Sequence, residues 1–305
     1  MMMDLEKYSK QLAKWQDKQL NIVENSIRLF YRKLVRTVLG EVATLYEKYE
    51  KDGQLTYAEM MKYDRYKSFM QSLELHVNSM SKTTQKSISE LLSNSYVYSY
   101  AWMGWAIQSS SRKRLQYTAL KMDQIRLAVE NPITGLTLKQ TLEKNRRDII
   151  YRINQTVTQN LVKGTTYKDM AVSLTETFEG DYSKSIRVAR TETHRVREQA
   201  MLDSAQHANK RGVVMVKKWR NMKDSRVRKT SKANHQKMDG VTVPVDDLFD
   251  LGRGERGIAP GNIGHAHHDI NCRCLLVYEI ERIEGQTNDD LARQTFEDFQ
   301  RTLEG

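Results

Sequence analysis

The chain has 305 residues, 39% of them apolar and 29% charged, with a formal net charge of +11. No run of 18 apolar residues occurs, which excludes a membrane-spanning helix, and the opening MMMDLEKYSKQLAKW lacks the hydrophobic core of a secretory signal. A balance this basic attracts polyanions, of which nucleic acid is the commonest, although solubility alone would also account for it.

With only three prolines (Pro132, Pro244 and Pro260), little interrupts helices in the first 130 residues. Residues 4–50 read as one long helix. Leu20, Val23, Ile27, Phe30, Leu34, Val38, Val42, Leu45 and Tyr49 make eight steps over 29 residues, the 3.6-residue period of an α-helix. KDG at 51–53 is the expected stop, with Gly53 free to turn left-handed. A second helical region spans about 56–80, and a third starts near Thr84 and runs through SYVYSYAWMGWAIQ at 95–108. Five aromatics, Tyr96 to Trp105, cover nearly every face of that stretch, which predicts burial against other helices rather than stacking on bases.

Two further helices are expected over 112–130 and 137–162, separated by the ENP break at 130–132. Thr166 and Asp169 form a capping box that opens a short helix to about 178. EGD at 179–181 reads as a turn, and a helix follows over 182–210. Three short apolar stretches, VVMVKKW (213–219), VTVPV (241–245) and LLVYEI (275–280), read as strands. The predicted class is α+β: a long helical N-terminal arm, then a mainly helical domain with a small antiparallel sheet near the C-terminus. A domain boundary falls between about 110 and 135, and the last 25 residues read as a polar, loose helix.

Three stretches carry chemistry. In RVARTETHRVRE (187–198), Arg187, Arg190, His194 and Arg197 form one basic stripe on a helix, beside a small apolar stripe suited to packing on strands. Glu192 sits among the arginines and suits a structural Arg–Glu network, or alternatively an enzyme that cleaves nucleotide glycosidic bonds. The second stretch lies in residues 211–240, which hold ten Lys or Arg against two Asp, a net of +8. Lys217, Lys218, Arg220, Lys223, Arg226, Arg228 and Lys229 are the candidate DNA-binding residues, contacting phosphate without reading sequence. Trp219 is expected to anchor the core. Asp239-Gly240 reads as a turn into the next strand, and on a short helix His235 and Asp239 would point one way.

The third stretch is GHAHHDINCRCLLVYEI at 264–280, which contains three of the seven histidines and both cysteines. On a strand, Cys272 and Cys274 share a face with their positions about 7 Å apart, whereas tetrahedral zinc wants sulfurs roughly 3.7 Å apart. The strand would have to bend. His235 with His265, His267 or His268 would complete a Cys₂His₂ set, and His268 is the preferred partner, making structural zinc the candidate cofactor. The alternative is that both cysteines are small buried groups and Arg273 faces a partner or an acidic loop. No Gly-rich phosphate loop, G-x-S-x-G or H-E-x-x-H is present, so the sequence makes no positive case for catalysis.

ARTET at 189–193, KKW at 217–219, DSRVRKTSKANHQKMDGVTVP at 224–244, then PGN at 260–262 and INCRC at 270–274 occur in that order. Together they resemble the Mu F-like phage head morphogenesis family, the minor head proteins of tailed phages, over about residues 135–280. Six residues separate Arg228 from His235, a looser form of the family's segment. The resemblance implies a division into a helical arm for assembly (1–130), a Mu F-like α+β module (131–282) and a polar tail (283–305). It also implies a structural motif of Arg190, Thr191, Glu192, Trp219, Asp239, Gly240, Asn271 and Arg273, and of these Arg190, Glu192 and Asp239 are expected to gather in space with His235, Cys272 and Cys274. It further implies a capsid protein near the portal, made in the host cytoplasm and present in the virion. Its expected partners are the portal protein, double-stranded DNA and capsid or scaffold proteins, with no membrane during assembly, and its expected roles extend to genome retention or ejection. The rival reading is a nucleic-acid-acting enzyme, either a nuclease or a nucleotide transferase, built on the same module.

Overall fold

The computed structural model describes residues 5–131 and 136–304. Pro132 of the expected ENP break lies outside them. The helices are α1 (Leu5–Tyr49), α2 (Tyr57–Met61), α3 (Arg65–Ser111), α4 (Met122–Glu130), α5 (Leu138–Lys163), α6 (Tyr167–Asn209), α7 (Ala266–Asp269) and α8 (Phe296–Glu304). The strands are β1 (Val213–Arg220), β2 (Thr242–Pro244), β3 (Phe249–Gly252), β4 (Glu255–Gly257) and β5 (Leu275–Ile283). The class is therefore α+β, with a long N-terminal helix and a small antiparallel sheet near the C-terminus. No described helix is long and apolar enough to cross a membrane.

The chain falls into two compact units, each assembled from stretches far apart in sequence. One unit is Met1–Leu20, Ser89–Leu138 and Arg190–Gly305; the other is Asn21–Ile88 and Lys139–Ala189. Periodicity along the chain reports which residues of a helix are apolar, not which distant helix covers them.

The second unit is helical and its core follows the stripes read from the sequence. Ile27, Leu34, Val38 and Val42 of α1 are buried, as are Leu73 and Val77 of α3 and Ile149, Ile153, Val157 and Leu161 of α5. The expected turn at 179–181 is helical, and α6 runs through it. Asp181 is buried and accepts a hydrogen bond from Tyr31 Oη (2.5 Å), and the same hydroxyl lies 2.9 Å from Ser185 Oγ. Burial raises the Asp181 carboxyl above its usual range. These tertiary contacts override the turn propensity of Glu-Gly-Asp. The Thr166 box forms as read: its hydroxyl accepts from Asp169 N and donates to Asp169 Oδ2. The break expected near residue 80 falls instead at 62–64, where Tyr63 and Asp64 take positive φ; from Arg65 the helix is continuous.

In the first unit, residues 112–121 are not helical. Arg112 and Gln116 adopt positive φ, and the segment is held by Leu115 N donating to Gln108 Oε1, His207 Nε2 donating to Leu115 O, and Tyr117 Oη donating to Ser204 O. The aromatic stretch of α3 packs as expected. Trp102 Nε1 donates to Tyr8 O at 3.1 Å, Trp105 Nε1 donates to Gln294 O at 2.7 Å, and Tyr98 stacks on Trp15. The C-terminal segment is not a loose tail: Phe296 and Phe299 are buried, with Phe296 5.0 Å from the ring of Trp102.

The sheet has the order β2-β1-β5 and is antiparallel, pairing Lys217 with Tyr278 and Trp219 with Leu276. Val213, Met215, Lys217 and Trp219, which share one face of β1, are all buried, and Val216 on the other face is buried as well. A β3–β4 hairpin that the sequence reading did not anticipate sits in the connection between β2 and β5.

Candidate functional site

The site is built where α6 meets the chain at the start of β5. Thr191 Oγ1 accepts from Asn271 N (3.1 Å), His194 Nε2 donates to Cys274 O (2.6 Å), and Glu198 Oε2 accepts from Leu276 N (2.8 Å). Positions 191, 194 and 198 share one helix face, so α6 serves as a rail that fixes the register of residues 271–276. Glu198 is fully buried, and its other oxygen receives Arg197 Nε and Nη2 at 2.8 and 2.7 Å. Arg197 Nη1 reaches Gln16 Oε1, and Gln16 Nε2 reaches Thr193 O. A buried ion pair is tolerable when its polar atoms are matched in this way.

Glu192 enters a second pair. Its carboxylate accepts from Arg195 Nε at 2.8 Å, and the Arg195 guanidinium also donates to Ala128 O and Val129 O, carbonyls in the last turn of α4. Burial raises the Glu192 carboxyl, Arg195 opposes this, and nearby Asp269 adds to it. Asp269 is buried and accepts from Ile263 N and Gly264 N. The bond between Thr191 and Asn271 brings the RTE helix beside Cys272, whose charge also acts on Asp269. The stripe of Arg187, Arg190, His194 and Arg197 is not a single basic surface. Arg187 and Arg190 are exposed, whereas His194 and Arg197 are buried.

His235, Cys272 and Cys274 converge, each at most 3% exposed. His235 Nδ1 lies 3.6 Å from Cys272 Sγ and 3.5 Å from Cys274 Sγ, and the three donor atoms fall within 4.8 Å of one another. The two cysteines do not sit on a strand. Regular β5 structure starts at Leu275, and Asn271 has φ +56°, so the chain bends where the sequence had required a bend. A hydrogen bond from Cys274 holds the Cys272 thiol well below its usual range, His235 adds to this, and burial opposes it; Cys274 is pushed up in turn.

His268 lies on the far side of the His235 ring. His235 Nε2 and His268 Nδ1 are 3.0 Å apart, and His268 Nε2 is 2.9 Å from Glu255 Oε2. His268 is therefore not one of the three converging donors. His267 also reaches Glu255, and these two histidine bonds pull the Glu255 carboxyl down to about 2. Burial pushes His268 down, with Glu255 opposing. The short helix imagined for 235–239 is absent. His235 faces the thiols, while Asp239 Oδ1 accepts from Asn221 N at the end of β1, where Gly240 N also donates to Trp219 O. Trp219 is buried with its ring 5.2 Å from His235. Arg273 meets the loop acid Asp224 at 2.5 Å.

The seven candidate DNA-binding cations divide by burial. Lys217 is fully buried on the inner face of β1, its Nζ without a hydrogen-bond partner, and burial lowers its pKa to about 8. It cannot meet a phosphate, a correction that the alternation of Val213, Met215, Lys217 and Trp219 could have supplied. Lys218 pairs with Glu279, Arg220 lies 3.6 Å from Glu6, and Arg228 Nη2 donates to Ile270 O. Lys223, Arg226 and Lys229 are exposed, as are Lys232 and Lys237 nearby. Glu198, Asp269, His194 and Glu255 were missed as site residues. Glu198 had a faint signal, seven positions after Thr191 on one helix face, but no spacing pointed to Glu255.

The family described as Phage Mu protein F like protein matches residues 151–277, a range that includes Thr191, Glu192, His235, Cys272 and Cys274. Over 271 residues the chain is 32% identical to minor head protein GP7 of Bacillus phage SPP1, covering 89% of this chain and 86% of that protein. It is also 24% identical over 298 residues to the NAD(+)–arginine ADP-ribosyltransferase EFV of Enterococcus faecalis (strain ATCC 700802 / V583), covering 98% of this chain but 60% of that protein. No solved structure matches. With a family match over residues 151–277 and a relative this similar over most of both lengths, the chain belongs to the Mu F-like phage minor head protein family.

Proposed function

We propose that the chain acts in phage head morphogenesis as a minor component of the capsid, seated at the portal and beside packaged DNA, where it contributes to genome retention or ejection. The observation that carries this reading is the similarity to a minor head protein along most of both chains. The net charge of +11 and the exposed cations Lys223, Arg226, Lys229, Lys232 and Lys237 suit contact with phosphate independent of base sequence. The charge-bearing segment is closed across its ends by Asn221 N donating to Asp239 Oδ1 and pinned within by Arg228 donating to Ile270 O, so its cations are presented from a fixed loop rather than a free tail.

Co-expression with the portal protein of the same phage tests the partner: a stable complex is expected, and no complex at micromolar concentrations would overturn the portal assignment. DNA contact is tested by titrating salt. Five phosphate contacts give log K against log salt a slope of about −4.5, and replacing Lys223, Arg226 and Lys229 by Ala should reduce it by about 2.7. An unchanged slope removes this loop as the DNA surface.

The structural role is favoured over a transferase role by what Glu192 does. Its carboxylate is paired with buried Arg195, which ties α6 to the end of α4. Incubation with NAD⁺ and arginine-bearing acceptor proteins should give no ADP-ribose transfer; transfer that Glu192→Gln abolishes in a still-folded chain would establish the enzyme instead.

A further inference from the structure

We infer that His235, Cys272 and Cys274 form a three-donor site for zinc, and that His268 and Glu255 are its positioning relay rather than ligands. A tetrahedral zinc with sulfur at about 2.3 Å and imidazole nitrogen at about 2.05 Å holds those two donors roughly 3.5 Å apart. The two sulfur-to-Nδ1 separations here are 3.6 and 3.5 Å. One imidazole nitrogen has one lone pair, so it accepts one good hydrogen bond. Two sulfurs at equal distance from it are better explained by a common centre that all three face. The donor set is soft, with two sulfurs and one nitrogen, which selects zinc over magnesium or calcium. All three residues are buried, so the site is shielded from competing chemistry at the surface.

The polarity of the surrounding hydrogen bonds agrees with a metal at Nδ1. Ligation there places the His235 proton on Nε2, which donates to His268 Nδ1 across 3.0 Å; His268 then carries its own proton on Nε2 and donates to Glu255 Oε2 across 2.9 Å. Each tautomer is determined by the next, ending on a carboxylate that is held ionised by its histidine bonds. This is the outer-shell arrangement that orients a ligating histidine and raises its basicity. Among the described residues no fourth His, Cys, Asp or Glu donor lies within 4.8 Å of all three, so water or another small ligand completes the tetrahedron. The zinc would cross-link the basic loop, through His235, to the residues leading into β5.

The test uses the untagged full-length chain. Elemental analysis should find one zinc per chain. Replacing it with cobalt should give the visible bands of a tetrahedral ion and a near-ultraviolet thiolate-to-metal band. Thiol titration should find Cys272 and Cys274 protected until a strong chelator is added. Cys274→Ser should weaken the thiolate band, and His268→Ala should keep it while lowering zinc affinity 10–100-fold. Because the wild-type spectrum decides the donor set, misfolding of a variant does not rescue the idea. Substoichiometric metal with no thiolate band at saturating cobalt overturns it. So does a bound metal whose cobalt spectrum lacks thiolate character, which would place the ion at the second cluster of Glu255, His267 and His268. Zinc affinity unchanged in His268→Ala overturns the relay alone.

Discussion

The helical unit and the segment from Trp219 to Cys274 differ in how much polar chemistry they bury beside their apolar side chains. In the first, apolar residues recur at helical period and are buried as stripes: Ile27, Leu34, Val38 and Val42 on α1, and Ile149, Ile153, Val157 and Leu161 on α5. The second has little regular structure, and its buried groups include His235, His268, Asp269, Cys272 and Cys274. Burial of hydrocarbon is non-directional and tolerates substitution by side chains of similar size. Polar burial is directional, and losing one partner leaves another unsatisfied. The second region is thus the more brittle.

The sharpest way to break this contrast is to remove the cross-link. Chelation should melt the loop and sheet region well before the helices, seen as early loss of hydrogen-exchange protection at residues 228–240 and 271–276 while α5 amides stay protected; simultaneous loss of both would contradict it. Next in size, Glu198→Ala leaves buried Arg197 and the Leu276 amide without their acceptor, an expected loss of about 3–5 kcal/mol in chemical denaturation. Ile153→Ala in the helical unit should cost about 2–4 kcal/mol, but Ile153→Leu should cost under about 1.5, a forgiveness not expected of any conservative change at Glu198.

Lys217 offers a change of opposite sign. In the folded chain its ammonium titrates near 8, against an ordinary 10.5. Between those values the unfolded chain holds the proton and the folded chain does not, so stability rises with pH. Below about 8 both hold it, and the full penalty applies, at most roughly 3 kcal/mol at ~1.4 kcal/mol per pH unit. Lys217→Met should therefore stabilise the protein by about 1–3 kcal/mol at pH 7 and flatten the rise above pH 8. Smallest of all, Lys229→Ala on the exposed loop should move stability by less than about 0.5 kcal/mol while changing the salt dependence of DNA binding.

Periodicity alone gave α1 nearly to the residue, the strands β1 and β5, and the aromatic packing of α3, because an amphipathic stripe or an alternating strand is a local property. It failed at 179–181, where the hydrogen bond from Tyr31 to Asp181, 150 positions apart, keeps a turn-forming tripeptide helical. It failed again at 112–121, where Tyr117 and Leu115 are held by Ser204 and His207 of α6. Within the site, Cys-x-Cys advertised a soft-donor pair, and the need for a bend followed from strand geometry.

That none of the three C-terminal histidines joins His235 at the pair, and that His268 instead backs its ring, could not be read the same way. His265, His267 and His268 are near neighbours in sequence, yet His265 and His267 have side chains 46% and 38% exposed while that of His268 is 1% exposed. Composition and spacing determined the class of fold, the long helices and the kinds of atoms able to meet. The folded chain alone decided that His235 turns Nδ1 to the thiols and Nε2 to His268, and that Lys217 faces inward. Direction in space depends on contacts between residues far apart along the chain, and those arise only when the helices and the sheet have closed on one another.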